Sequence, residues 1–315
     1  RASPTQSAAT ELRGAGLHDA FVARLKPDGS VLWAAAYGGT GDDRAFGVAV
    51  DQARGVVYVT GRFTGEPGPV MVGGGGVGGG IRFGSDGAVF LAPATDAGDD
   101  VFMAQVRLSD GVANWAVAAR STDAWLAQQA VGGTEFREEG VAVAADTPSL
   151  LGGAFFVGKV LGSARFGVGS SASGSASNTW DTSSGELLEG YVCRVAHDGA
   201  VSWVVPVSGD DWDYVSGVAS DGAGGAYITG QSKSKTRLSV GGTALDVQGI
   251  AAGSSDQPVA FAAHVDATGK VSAATLLATP VRAWGGAGGG AGKVIAGDGS
   301  GAAFVGGGFT GSAGF

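Results

Sequence analysis

The sequence predicts an all-β fold, a β-propeller of four-stranded antiparallel blades with about four blade-equivalents. Three observations predict it: two kinds of β-hairpin alternate along the chain, each recurs about four times, and glycine marks nearly every reversal.

The first hairpin is DAFVARLKPDGSVLW at 19–33, which returns as DVFMAQVRLSDGVANW at 100–115 and GYVCRVAHDGAVSW at 190–203. A weaker copy, VAFAAHVDATGKVSA, stands at 259–273. Each reads as an alternating strand, a turn carrying Asp-Gly or Thr-Gly, and a second strand, because glycine supplies the positive φ of a tight reversal. The second hairpin is FGVAVDQARGVVYVTGRFTG at 46–65, followed by GVAVAADTPSLLGGAFFVGKVLG at 140–162, SGVASDGAGGAYITGQS at 216–232 and KVIAGDGSGAAFVGGGFTG at 293–311. Two hairpins per period give four strands per repeat.

Trp33, Trp115 and Trp203 fall at one repeat position, Phe21, Phe102, Tyr191 and Phe261 at another, and Gly61, Gly158, Gly230 and Gly307 at a third. A lone four-stranded sheet buries too little surface to stand by itself, so both aromatic series are expected to pack between neighbouring blades. The spacing between copies varies because the stretch between the two hairpins varies. These inserts include VGGGGVGGG at 72–80 and GVGSSASGSASNTW at 167–180, whose composition reads as loop or linker. Yet IRFG at 81–84, SARFG at 163–167 and RLSVGG at 237–242 predict an extra short strand in each insert.

The organisation that follows is a lead-in over 1–18 and repeats over 19–311. Within these lie an outer hairpin at 19–37, blades at 45–119, 140–207 and 214–277, and an inner hairpin at 293–310, with a short continuation at 312–315. The first and last blades are thus each half present. Either the two halves meet and close a four-bladed ring, or the chain is an arc of a larger propeller within a longer protein.

In its order of motifs the chain resembles the bacterial SBBP repeats, the seven-bladed β-propeller repeats. The first copy carries DAFVARL, DGSVLW, GGTGDD, GVAVD and VVYVTG; later copies are weaker, and the fourth has Ala273 in place of the tryptophan. The resemblance spans most of 19–311. It implies a propeller at an extracellular, cell-wall or surface location, and it implies no particular activity.

Composition bounds the partners. Sixty glycines in 315 residues accompany only 9 prolines and no third-residue period, which excludes collagen, while 44% hydrophobic residues allow a real core. The net charge of −9 and the absence of any basic run argue against nucleic acid. No apolar run approaches the ~18 residues that suggest a membrane-spanning helix. Cys193 stands alone in an alternating strand and reads as a small buried hydrophobe. Neither Asn114 nor Asn178 begins a glycosylation sequon.

The candidate sites lie in loops. Asp42 and Asp43, Asp99 and Asp100, and Asp210, Asp211 and Asp213 form acidic clusters of the residue type that hard cations bind, so Ca²⁺ through Asp42, Asp43, Asp210, Asp211 and Asp213 stands beside the plainer reading of turn capping. Asp43 and Asp213 share a repeat position, with Phe136 aligned to them in the second copy. Trp125, Trp180, Trp212 and Trp284 fall outside the repeated tryptophans; Trp180 and Trp212 are the candidate ligand-binding aromatics, against packing of loop on blade. The glycine tract holding Gly74, Gly76 and Gly79 lacks the following helix of a dinucleotide site, and the GAGGGAGKV region lacks the residues of a phosphate loop. His197 and His264 are expected at the surface, as neighbours of ordinary solvent-facing repeat positions. No nucleophile elbow occurs.

The function expected is therefore that of a non-catalytic structural or protein-interaction module of a surface assembly. A carbohydrate-binding propeller comes second, and a propeller enzyme acting on glycans through paired carboxylates third.

Overall fold

The computed structural model describes residues 11–64, 80–83, 89–92, 99–121, 138–147, 152–169, 178–180, 188–234, 236–246, 258–277, 279–280, 290–309 and 313–314. Among them there is no helix; the chain is a succession of antiparallel sheets.

Three four-stranded meanders are complete. The first runs Arg44–Asp51, Val56–Thr64, Asp99–Arg107 and Ala113–Ser121. The second runs Glu139–Ala145, Ala154–Leu161, Leu188–Val195 and Val201–Ser208. The third runs Asp213–Ser220, Ala226–Ser232, Val259–Val265 and Val271–Leu277. Ahead of them stands the hairpin Ala20–Leu25 and Val31–Gly38, equivalent to the outer half of a meander. Behind them stands Gly290–Gly297 and Ala303–Phe309, equivalent to the inner half. The alternating patterns of the sequence thus become strands in the expected order.

Successive sheets stack face to face, each inner strand lying on the inner strand of the next: 44–51 on 139–145, that on 213–220, and that on 290–297. Three apolar clusters fill the junctions. Tyr37, Phe83 and Phe102 centre the first; Tyr58, Trp115, Phe156, Phe166 and Tyr191 the second; Phe261, Val192 and Val240 the third. Cys193 is fully buried in the second, its Sγ 3.4 Å from Met103 Sδ, and burial pushes the thiol well above the usual range.

The inserts behave in a way the sequence did not foreshadow. Each carries the expected short strand, but that strand joins the preceding sheet. Ile81–Phe83 and Val89–Leu91 extend the edge of Val31–Gly38; Ala164–Val168 and Asn178–Trp180 extend Ala113–Ser121; Arg237–Val240 and Thr243–Asp246 extend Val201–Ser208. An outer strand has a free row of backbone groups, and the insert pairs with those at its last two to four residues. It also brings an aromatic wedge into the junction. Phe83 sits 5.3 Å from Tyr37 and 5.4 Å from Phe102, and Phe166 sits 5.0 Å from Tyr191, so the insert links an outer strand of one sheet to an outer strand of the next.

The repeated Gly61, Gly158, Gly230 and Gly307 have one cause. In each inner hairpin the facing strand bulges directly after the glycine's partner: between Ala45 and Gly47, Gly140 and Ala142, Val215 and Gly217, and Gly292 and Val294. The bulge swings a carbonyl inward, that of Arg44, Glu139, Tyr214 or Ala291, onto the spot a Cβ would occupy. Any larger residue would collide with backbone.

The tryptophan series acts as a latch between sheets. Trp33 Nε1 donates to Leu108 O at 3.0 Å, Trp115 Nε1 to His197 O at 2.9 Å, and Trp203 Nε1 to Ala267 O at 3.2 Å, each carbonyl lying in the outer turn of the next sheet. Gly111 and Gly269, with φ of 75° and 83°, also leave room for the rings of Trp33 and Trp203. The turn glycine therefore serves its own backbone and its neighbour's indole.

Candidate binding face at the crossing loops

The chain passes from one sheet to the next at the end of the stack where outer strands finish and inner strands begin. Residues 39–43 and 209–212 are two such crossings, and the candidate acidic residues lie in them or beside them.

Asp43 and Asp213 are fully buried. Asp43 Oδ2 accepts from Gly39 N at 2.7 Å, and Asp213 accepts from Ser234 Oγ at 3.2 Å through both oxygens. Strand register places Glu138, not Phe136, at the same position in the second repeat, because Ala142 opposite Val157 is the counterpart of Gly47 opposite Thr60. Phe136 itself lies outside the described residues. Glu138 is buried and accepts from Ser121 N at 3.3 Å and Leu161 N at 3.1 Å. A carboxylate thus recurs at 43, 138 and 213; at 43 and 138 it clips backbone at the end of the preceding outer strand, and at 138 also at the end of the second inner strand. Sequence alignment missed Glu138 because GVAV at 140–143 matches GVAV at 47–50 in letters but stands two residues out of structural register with it.

Burial dominates the electrostatics here. It pushes Asp43 up to about 7, helped by the neighbouring Asp19 and Asp42 and opposed by the Gly39 amide. Burial raises Asp213 well above the carboxylate range against the hydrogen bonds of Ser232 and Ser234, and Asp211 and Asp210 add to the rise. Glu189, fully buried nearby, is pushed up to about 9 by burial first and by Asp213 second. Asp42 differs: burial opposes its ionisation, but Arg44, then Arg62 and His18, hold it below the ordinary value.

From Asp42 a charged strip crosses the junctions. Arg62, 4% exposed, donates to Asp42 at 2.8 Å and to Asp99 at 2.7 Å, and its Nε lies 3.8 Å from Glu139. Lys159 pairs with the other Glu139 oxygen at 3.4 Å, and its ammonium is 6.0 Å from the Tyr214 ring. Lys293 approaches the same ring at 5.8 Å. Trp212 stacks on Tyr214 at 5.8 Å with 10° between the planes, and Lys233 lies 4.1 Å over the Trp212 ring. Trp212 is half-buried and rests on Leu161 and Leu188. The aromatic pair thus gathers three lysines, with Lys233 over the Trp212 ring and Lys159 and Lys293 approaching Tyr214.

The remaining candidates separate. Asp210 accepts from Thr236 N and Oγ1, the latter at 2.9 Å, and Asp211 accepts from Trp212 N at 2.8 Å, both in turn-capping roles. Among the described residues no three metal-ligating side chains gather into one group. Trp180 pairs through its backbone with Ala164, while Trp125, Trp284 and the tract with Gly74, Gly76 and Gly79 lie outside the described residues.

The opposite end of the stack corrects one expectation. His264 and its repeat equivalents are not simple solvent-facing residues: Gln105 and Arg194 are buried and His264 is half-buried. Arg194 donates to Asp146 at 2.9 Å, and His264 Nε2 lies 2.8 Å from Asp221. Arg194 and His264 reach inward to the aspartate that follows the inner strand, while Gln105 donates to His197 O at 3.0 Å, and these partners answer the burial. His197 is exposed, as expected, and contributes its carbonyl to Trp115.

No protein-family model matches this chain, and no curated protein matches it. Fold and site define it as an all-β protein of repeated, stacked antiparallel sheets.

Proposed function

We propose that the chain is a β-propeller module of the SBBP-like kind, serving as a structural or protein-interaction element of an extracellular or cell-surface assembly, and that it is not an enzyme. The observation that carries this reading is the use made of the polar residues. Arg62, Asp42, Asp99, Glu138, Glu139 and Arg194 join one sheet to the next or one strand to its neighbour. Rigid coupling of repeats is what a spacer or docking scaffold needs.

Two measurements test it. Class-averaged electron images of the purified chain should present wedge-like units arranged about an axis; an extended two-layer sandwich would remove the propeller. Protease shaving of intact source cells should release peptides of this chain, and a purely intracellular pool would remove the surface location. Turnover of any polysaccharide, lost in a carboxylate variant that stays folded, would overturn the non-catalytic reading.

The Trp212–Tyr214 stack favours a second reading, carbohydrate binding. The three lysines gathered at the stacked rings suit an acidic sugar, whose carboxylate would draw Lys233 off the Trp212 ring and leave that ring to the sugar's C–H face. A glycan array with no signal for acidic polysaccharides would eliminate it. Calcium at the Asp210–Asp211 crossing is the cofactor to test beside it, by comparing thermal midpoints with and without chelator.

A further inference from the structure

The three tryptophan latches differ at the residue whose carbonyl they hold. Arg24 Nη1 donates beside Trp33 to Leu108 O at 3.0 Å, and Gln105 Nε2 beside Trp115 to His197 O at 3.0 Å, while Trp203 reaches Ala267 O. Of Leu108, His197 and Ala267, only the histidine can take up a proton. Its latch joins the first complete sheet to the second, in the interior of the stack.

The hydrogen bonds of this latch fix the protonation state of the ring. Gln105 is buried; its Nε2 lies 3.0 Å from His197 O, 3.2 Å from His197 Nδ1 and 3.3 Å from Tyr58 Oη, and its Oε1 accepts from Asn114 Nδ2 at 2.7 Å. The His197 carbonyl can only accept, so it holds the amide with nitrogen towards the turn; the opposite orientation would set oxygen against oxygen. With an N–H group facing it, His197 Nδ1 must be an acceptor. The ring in this contact is therefore neutral, with its proton on Nε2. A second proton, on Nδ1, would set N–H against N–H across the same 3.2 Å, and the exposed ring can escape only by leaving Gln105. The charged and titratable groups on the elements around the turn already have roles. Arg54 pairs with Asp51 at 2.8 Å and Arg194 with Asp146 at 2.9 Å, Asp198 accepts from Ala200 N at 3.1 Å, and burial holds the Tyr58 hydroxyl above its ordinary range and so neutral.

We propose that His197 makes this one junction proton-sensitive: protonation at Nδ1 drives the ring off Gln105, and the turn at 196–200 loosens its hold on Trp115. The first and third latches, built on Leu108 and Ala267, have no such group and keep their hold. The stack is then stiff throughout at neutral pH and hinged between its first two complete sheets in acid. The inference rests on the hydrogen bonds of this junction alone. It stands whether or not the sheets form a propeller, and whatever the crossing-loop face binds.

Hydrogen exchange of the indole N–H groups reads the latches directly, by NMR of the full chain at about pH 7.5 and about pH 5, either side of the ordinary titration of imidazole and corrected for intrinsic exchange. On acidification Trp115 Nε1–H is expected to lose protection at least about fivefold relative to Trp33 and Trp203, the factor that loss of one hydrogen bond represents. His197→Ala reproduces the residue of the third latch and keeps the carbonyl, so Trp115 should stay protected in it at both pH values. Asp43, pushed up to about 7, titrates over the same range at the other end of the stack, in parent and variant alike, so the difference between them belongs to His197. Imidazole nitrogen spectra, assigned to His197 by the signals lost in the variant, should show the Nε2–H tautomer at the higher pH. An Nδ1–H tautomer there, a Trp115 response no larger than that of Trp33 and Trp203, or an equal response in His197→Ala would each overturn the proposal.

Discussion

Replacing Glu189 with glutamine should make the protein more stable, and the gain should grow with pH. The side chain is fully buried between strands, and its carboxyl is pushed from 4.5 up to about 9, first by burial and then by Asp213. In the unfolded chain it ionises near its ordinary value, so between pH 4.5 and about 9 folding takes up a proton. Stability from this group is therefore full below pH 4.5 and is lost as pH rises towards 9. Each pH unit in that window costs about 1.4 kcal/mol, which amounts to about 3 kcal/mol at pH 7. Glutamine keeps the shape and never ionises. Glu189→Gln should thus match the parent at pH 4 and exceed it by up to about 3 kcal/mol at pH 7. Urea unfolding followed by tryptophan fluorescence from pH 4 to 9 measures both curves. Asp213 leaves a residual slope in the variant, which Asp213→Asn should flatten further. Parallel curves, or a variant less stable than the parent at pH 7, would show Glu189 ionised in the fold and refute the reasoning.

Further outcomes follow from the repeat geometry. Gly230→Ala should destabilise by about 2–4 kcal/mol because its Cβ would overlap the Tyr214 carbonyl, whereas Gly242→Ala, with open space around it, should cost only the ~1 kcal/mol of its φ of 86°; denaturation midpoints compare the two. Trp203→Phe removes the donor to Ala267 O and should cost about 1 kcal/mol, with faster amide exchange in the 266–270 turn as the local readout. Phe261→Ala, in the third junction, should cost about 3–5 kcal/mol by calorimetry. Trp212→Ala should abolish retention on an acidic-glycan column while Trp203→Phe leaves it intact, if the stacked pair is the sugar platform.

The hairpins were legible because their signals are local. Alternation of apolar residues at Phe21, Phe102 and Tyr191, and turn glycines such as Gly29 and Gly199 at φ of 84° and 90°, act within a few residues of chain. The insert strands were legible for the same reason. Their destination was not, since nothing within Ile81–Phe83 says which of several free edges it will join. The acidic candidates divided on the same ground. Asp43 and Asp213 read from sequence like Asp210 and Asp211, but two are buried clips inside the junctions and two cap turns at the crossing loop. Glu138 escaped notice because GVAV at 140–143 mimics GVAV at 47–50 two residues out of structural register, and His264 reads as a surface residue because its partner Asp221 lies 43 residues away.

By itself the sequence determined the strands, their order and the repeat, since periodicity and turn chemistry are properties of neighbouring residues. Tertiary structure alone decided which sheet each insert extends and which carboxylates lie out of water. Those outcomes depend on which distant surfaces meet, and burial and desolvation exist only once they have met.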